Sequence, residues 1–189
     1  MKTNDKILKA AIKVFAKTGY ESTSVDLIAE TAHFAKGTIY YHYKSKEEIF
    51  FAIVRRGLGN YLNILKTKLS ESDDPRKQIE TILYEQLTYY EKEKEFCRVC
   101  YAELWRIESR WQKDIRSYQA EYYQLMNDLI TRGKKDGVFK EDLDIEPMTI
   151  ALFGLLSICG ISWTVFHKEI TKERMHKTLV EVYLTGILK

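Results

Sequence analysis

The sequence has little that would interrupt a helix. There are two prolines and nine glycines in 189 residues, which leaves few places for long irregular loops. Three cysteines, an odd number without framework spacing, argue against a disulfide-stapled secreted fold and favour a reducing cytoplasm. The four histidines, His33, His42, His167 and His176, are not grouped near the cysteines, so no metal site is expected. No nucleophile–base pair or cofactor loop is legible, so neither catalysis nor a bound cofactor is expected. Lys9 and Lys13 break any signal-type apolar core. The run from Met148 to Phe166 comes nearest to a membrane span, but Thr149, Ser157, Ser162 and Thr164 interrupt it. It reads as a buried interface helix, and no membrane partner is expected.

Charge is the other near-absence. The net value is only +3, too small to point to nucleic acid by itself. Its distribution says more. Residues 1–46 hold eight lysines against Asp5, Glu21, Asp26 and Glu30, a local net of +4, and the remainder is close to neutral. A basic end module beside a neutral body suits a DNA reader attached to another function.

What is present is helical periodicity. Ile7, Leu8, Ala11, Ile12 and Phe15 recur at helical spacing over residues 3–18, with Gly19 as the stop. Thr23 to Asp26 reads as a variant capping box with Thr23 as the cap, and Val25, Ile28, Ala29 and Ala32 as the buried face of a short helix. Ser45-Lys46-Glu47-Glu48 is a full capping box opening a helix over 46–69. Asp74-Pro75 starts the next, to about Tyr90. Further helices are expected over 96–107, 109–135, 146–167 and, capped by Thr171, to about Leu188. No strand or hairpin pattern competes. The expected class is all-α, with about nine helices.

The organising stretch is Ala35 to Tyr43. Ile39 and Tyr43, four apart, share one helical face. The other face shows Lys36, Thr38, Tyr41 and His42, and Gly37 lets a phosphate or base edge come close to the backbone. Such a helix fits a DNA major groove.

Several pieces fall in order: Phe15-Ala16, Gly19-Tyr20, Thr23-Ser24, Ile28-Ala29, Lys36-Gly37-Thr38-Ile39-Tyr40 and Lys44-Ser45-Lys46-Glu47-Glu48. In this order and spacing they resemble the N-terminal module of the TetR family of bacterial transcriptional regulators. The resemblance implies a helix-turn-helix DNA-binding domain over residues 1–46 and a helical effector-binding and dimerisation domain over 47–189. It implies a homodimeric repressor on a palindromic double-stranded operator, released by a small molecule. Lys36, Gly37, Thr38 and Tyr41 are expected near bases or adjacent phosphates. Thr23, Ser24, Tyr40, His42 and Lys46 are expected to position the backbone, Lys46 as the family's phosphate-contacting lysine. Two departures stand out. His33 occupies a position where the family usually has Gly, so a left-handed backbone there would strain it mildly. Ala35 cannot cap the recognition helix.

The body is rich in aromatics. A ligand cavity is expected among Tyr84, Leu87, Tyr101, Leu104, Trp105, Tyr118, Tyr122 and Met126, for a hydrophobic, aromatic or acyl-CoA-like effector. The Phe153-Gly154 and Trp163 pattern loosely resembles acyl-CoA-responsive members. The expected dimer face is Leu152, Leu155, Leu156, Cys159 and Trp163 with Leu179, Val182, Tyr183 and Ile187, forming a four-helix bundle across a two-fold axis. Cys97-Arg98-Val99-Cys100 leaves a rival reading, a thiol redox sensor, for which nothing supplies a base or a substrate site.

Overall fold

The computed structural model describes residues 2–103 and 112–188, with side chains described outside 112–115. Three helices come first: α1 (Thr3–Thr18), α2 (Val25–Ala32) and α3 (Lys36–His42). Their shared core is Ile7, Leu8, Ala11, Phe15, Ile28, Ala29, Ile39 and Tyr43, closed from below by Ile49 and Phe50. Phe15, Tyr20 and Phe50 form an aromatic triangle with centroids 5.2–6.1 Å apart, which fixes the α1–α2 turn on the following helix.

That following helix, α4 (Lys46–Leu69), runs unbroken from the small module into the body. Ser45 caps it by accepting from the Glu48 amide at 3.1 Å, and Glu48 reaches back to the Lys44 amide. The body adds α5 (Pro75–Lys92), α6 (Lys94–Glu103), α7 (Gln112–Lys135), α8 (Ile145–Thr164) and α9 (Lys172–Ile187). Asp74 accepts from the amides of Arg76 and Lys77 ahead of Pro75, and Thr171 caps α9 through the Arg174 amide. Helix α5 is the axis of the body. It packs against α4, α6, α7, α8 and α9, and buries Ile79, Ile82, Leu83 and Leu87 completely. Among the described residues there is no β-strand, only an isolated backbone bridge between Phe139 and Leu188.

Helix α8 is long and apolar enough to cross a membrane by length and composition. Its surroundings assign it another job. Thr149, Leu152, Leu156, Cys159, Gly160 and Trp163 form a stripe at helical spacing that faces the body. The opposite stripe, Ile150, Phe153, Gly154 and Ile158, faces outward, with only the Phe153 ring meeting Tyr122 edge-on at 6.3 Å among the described aromatic contacts.

Candidate nucleic-acid interface

Helix α2 and helix α3 meet through a three-residue turn. His33 ends α2 in the left-handed region, φ 57° and ψ 43°, as its place in the turn predicted. Ala35 opens α3 and supplies no side-chain cap. The inner face of α3 is secured by fully buried Ile39 and nearly buried Tyr43. Burial raises the Tyr43 hydroxyl above its ordinary pKa, so it stays protonated.

With that face locked, the other displays Lys36, Gly37, Thr38, Tyr40, Tyr41 and His42 outward. Tyr41 is 86 % exposed, an unusual place for a large ring in a monomer. The His42 ring meets it edge-on at 5.2 Å. Lys36 leans back, with its Nζ 2.7 Å from Asp26 Oδ1 and 5.9 Å from the Tyr40 ring centre. The Asp26 contact raises the Lys36 pKa, so the ammonium stays charged.

One expectation needs correction, and Lys46 gains a second contact. The cap of α2 is Ser24, whose hydroxyl accepts from the Leu27 amide at 3.1 Å, and not Thr23. Thr23 is 3 % exposed. Its hydroxyl donates to the Gly19 carbonyl at 2.7 Å and meets Thr18 Oγ1 at 2.8 Å. It ties the α1–α2 turn together and cannot reach a phosphate without leaving that site. The Lys46 ammonium donates to the carbonyls of Tyr20 and Glu21, at 2.7 and 3.1 Å, above the Tyr20 ring, and keeps one N–H for the phosphate expected there. Two of its three N–H bonds therefore staple the start of α4 to the α1–α2 turn.

The whole face is a short helix with basic, hydroxyl and aromatic tips, held rigidly behind a capped partner helix. Comparison with known proteins fits that geometry. Residues 7–53 match the model described as "Bacterial regulatory proteins, tetR family", and residues 54–186 match "YsiA-like protein, C-terminal region". The chain belongs to the TetR family. As a member it is a DNA-binding transcriptional regulator. The fatty acid metabolism regulator protein of Bacillus subtilis is 22% identical over 96% of this chain and 93% of its own length. The crystal structure of FadR from Bacillus subtilis in complex with stearoyl-CoA superposes with a TM-score of 0.88, 22% identity, and coverage of 97% and 98% of the two chains. A putative fatty acid metabolism regulator of Clostridium perfringens gives a TM-score of 0.82 at 29% identity, over 97% and 99% of the two chains.

In this TetR-family body the expected ligand wall divides. Leu87 and Met126 are fully buried. Tyr101 is half-buried and donates to the Tyr90 hydroxyl at 2.8 Å, and both rings press on Gly160, where a Cβ would collide with them. Tyr118 lies beside Gly59. Tyr84 does not face the interior. It is 43 % exposed, under Lys172 and edge-on to His176, so it pins α9 to α5. Leu104 and Trp105 lie outside the described residues. Sequence reasoning missed a second feature. The Tyr61 and Tyr122 hydroxyls and Trp163 Nε1 are buried without hydrogen-bond partners among the described residues.

The expected dimer face divides between buried and exposed residues. Leu152, Leu156, Cys159, Trp163, Leu179, Tyr183 and Ile187 are buried in the chain's own core. Leu155 is half-buried and Val182 is exposed. The uncovered apolar surface is instead Ile150, Phe153, Gly154 and Ile158 on α8 with Val182 on α9.

Cys97 and Cys100 carry no support for the redox reading. Burial holds Cys97 well above its ordinary thiol pKa and pushes Cys100 up to about 12, so neither is a thiolate near neutral pH. Among the described residues no three His, Cys, Asp or Glu side chains gather as a metal site.

Proposed function

We propose that the chain is a homodimeric repressor that binds a roughly palindromic operator and leaves it when an acyl-CoA-type effector enters the body. Residues 1–46 are the reader and residues 47–189 the sensor and dimer body. The observation that carries the reading is α3. Its inner face is locked by Ile39 while its outer face holds Lys36, Thr38, Tyr40 and a nearly free Tyr41 in the open. An aromatic tip so exposed meets only the neighbouring His42 ring among the described aromatic contacts, and it suits a groove floor or a phosphate.

The second copy would cover Ile150, Phe153, Gly154, Ile158 and Val182. Gly154 and Gly186 leave open space above the helix backbones for close approach. Two helices from each copy then form a four-helix bundle. Acyl-CoA is favoured as effector by the stearoyl-CoA complex of the Bacillus subtilis FadR that this chain superposes on, and a fatty-acid link by the 29% identity to the putative Clostridium fatty acid metabolism regulator. Orphaned donors on Tyr61, Tyr122 and Trp163 are suited to an acceptor such as an acyl carbonyl. The effector need only bind better to the form whose recognition helices are wrongly spaced.

The test is a duplex from upstream of the protein's own gene, held by the protein and titrated with stearoyl-CoA, stearate and free CoA. Release by stearoyl-CoA alone supports the proposal. A complex that stearoyl-CoA leaves intact would refute the acyl-CoA assignment, and aromatic carbonyl compounds would be tried next.

A further inference from the structure

The one basic side chain at the start of the recognition helix is already occupied. Lys36 Nζ lies 2.7 Å from Asp26 Oδ1 and 3.0 Å from Oδ2, so one ammonium serves both carboxylate oxygens. Asp26 sits in the first turn of α2 and Lys36 in the first turn of α3. Both side chains are more than half exposed, 63% and 56%, so neither is fixed by packing. Helix α3 has no acidic residue in its own first turn and no side-chain cap. Asp26 is therefore the anion that offsets the Lys36 charge.

A DNA phosphate at Lys36 would play the same electrostatic part. It would also bring a second anion against the Asp26 carboxylate. We infer that Asp26 is a built-in competitor for DNA phosphate at Lys36, and that the pair must open when the reader docks. Binding to any duplex is weaker by the free energy of opening that pair. This rests on the DNA-binding reading, but it assigns a role to a residue that faces DNA with the wrong charge.

The size of the effect follows from the exposure. Pairs this open are worth roughly 1.5- to 5-fold in an equilibrium constant, so a dimer with two readers gains roughly 2- to 25-fold when the competitor is removed. Freed lysines also neutralise more phosphate. The slope of log affinity against log salt should steepen by up to about 0.9 per reader.

The experiment is anisotropy of a labelled duplex of scrambled sequence at low ionic strength and across a salt series. The proteins are wild type, D26N, K36Q and the double variant, with Asp26→Ser as a second replacement and a thermal midpoint measured for each. The expected result is tighter, more salt-sensitive binding by D26N and D26S, with the gain absent in the K36Q background. Unchanged or weaker binding by both single Asp26 variants would overturn the inference, and Asp26 would then be inert or a brace for Lys36. A gain that persists in K36Q would overturn it too, because only long-range charge would be at work. No duplex binding by the wild type would sink the regulator reading and this inference together, whereas wild-type binding with unchanged variants sinks the inference alone.

Discussion

Gly57 and Phe96 offer a sharp test of how the body is joined to the reader. Helix α4 crosses from one to the other, and α6 rests on it at Gly57. A Cβ at Gly57 would overlap Cζ and both Cε atoms of Phe96, a ring that is 5 % exposed and edge-on to Tyr89. Tyr89 in turn donates to the Gly57 carbonyl at 2.8 Å, so the ring has little room to withdraw. Gly57→Ala gains about 1 kcal/mol of helix propensity. Overpacking at such a contact costs about 3 kcal/mol, the upper end of the usual range. The net prediction is a loss of about 2 kcal/mol, roughly 30-fold in the folding equilibrium. In a Phe96→Leu background, which removes the Cε and Cζ atoms, the same substitution should instead stabilise by up to about 1 kcal/mol. The assay is urea unfolding at fixed protein concentration, since dimer formation would make the midpoint concentration-dependent. A neutral or stabilising Gly57→Ala in the wild-type background would refute the socket. Equal effects in both backgrounds would show that Phe96 is not the partner.

Ile158→Lys, on the exposed stripe of α8, should give a folded monomer by sedimentation at micromolar concentration, and an intact dimer would refute the proposed interface. Stability should fall as pH rises from about 9 towards 12. The unfolded chain loses thiol protons near 9.0, while burial keeps Cys100 protonated to about 12, so protons held only by the folded state are released on unfolding. Tyr183, raised from 10.0 to about 12, adds a loss of the same sign, and a pH-independent urea midpoint across that window would contradict both. Tyr122→Phe removes a buried hydroxyl without a partner and should be neutral or stabilise by about 1 kcal/mol. Marked destabilisation would mean that the hydroxyl is satisfied in solution.

Periodicity and caps carried the fold. The helices expected over 3–18 and 46–69 match α1 and α4 end for end, because amphipathic spacing and a Ser45–Glu48 capping box mark local events. The left-handed His33 was legible from the resemblance, because the family usually has Gly at that position. Tertiary contacts were not. Thr23 and Ser24 are adjacent hydroxyls, and only the nearness of Thr18 and the Gly19 carbonyl turns Thr23 inward and leaves the cap to Ser24. Nothing in the spacing says that the Lys46 ammonium will turn towards two carbonyls 25 and 26 residues away. Helix α8 is apolar around most of its circumference, so no moment distinguishes its two stripes. Gly154 set between Ile150 and Ile158 was the usable sign that this side leaves open space above the helix backbone. Tyr84 fell outside the core because Lys172 on α9, a contact far apart in sequence, draws it to the surface.

The most direct measurement is anisotropy of a duplex from upstream of the protein's own gene, across a salt series, with wild type beside Tyr41→Ala. Tyr41 is 86 % exposed, so the variant should keep the thermal midpoint of the parent. The prediction is saturable, sequence-selective binding by the wild type that weakens with salt, and loss of that selectivity in the variant. Selective binding that survives unchanged in Tyr41→Ala would contradict α3 as the reading helix.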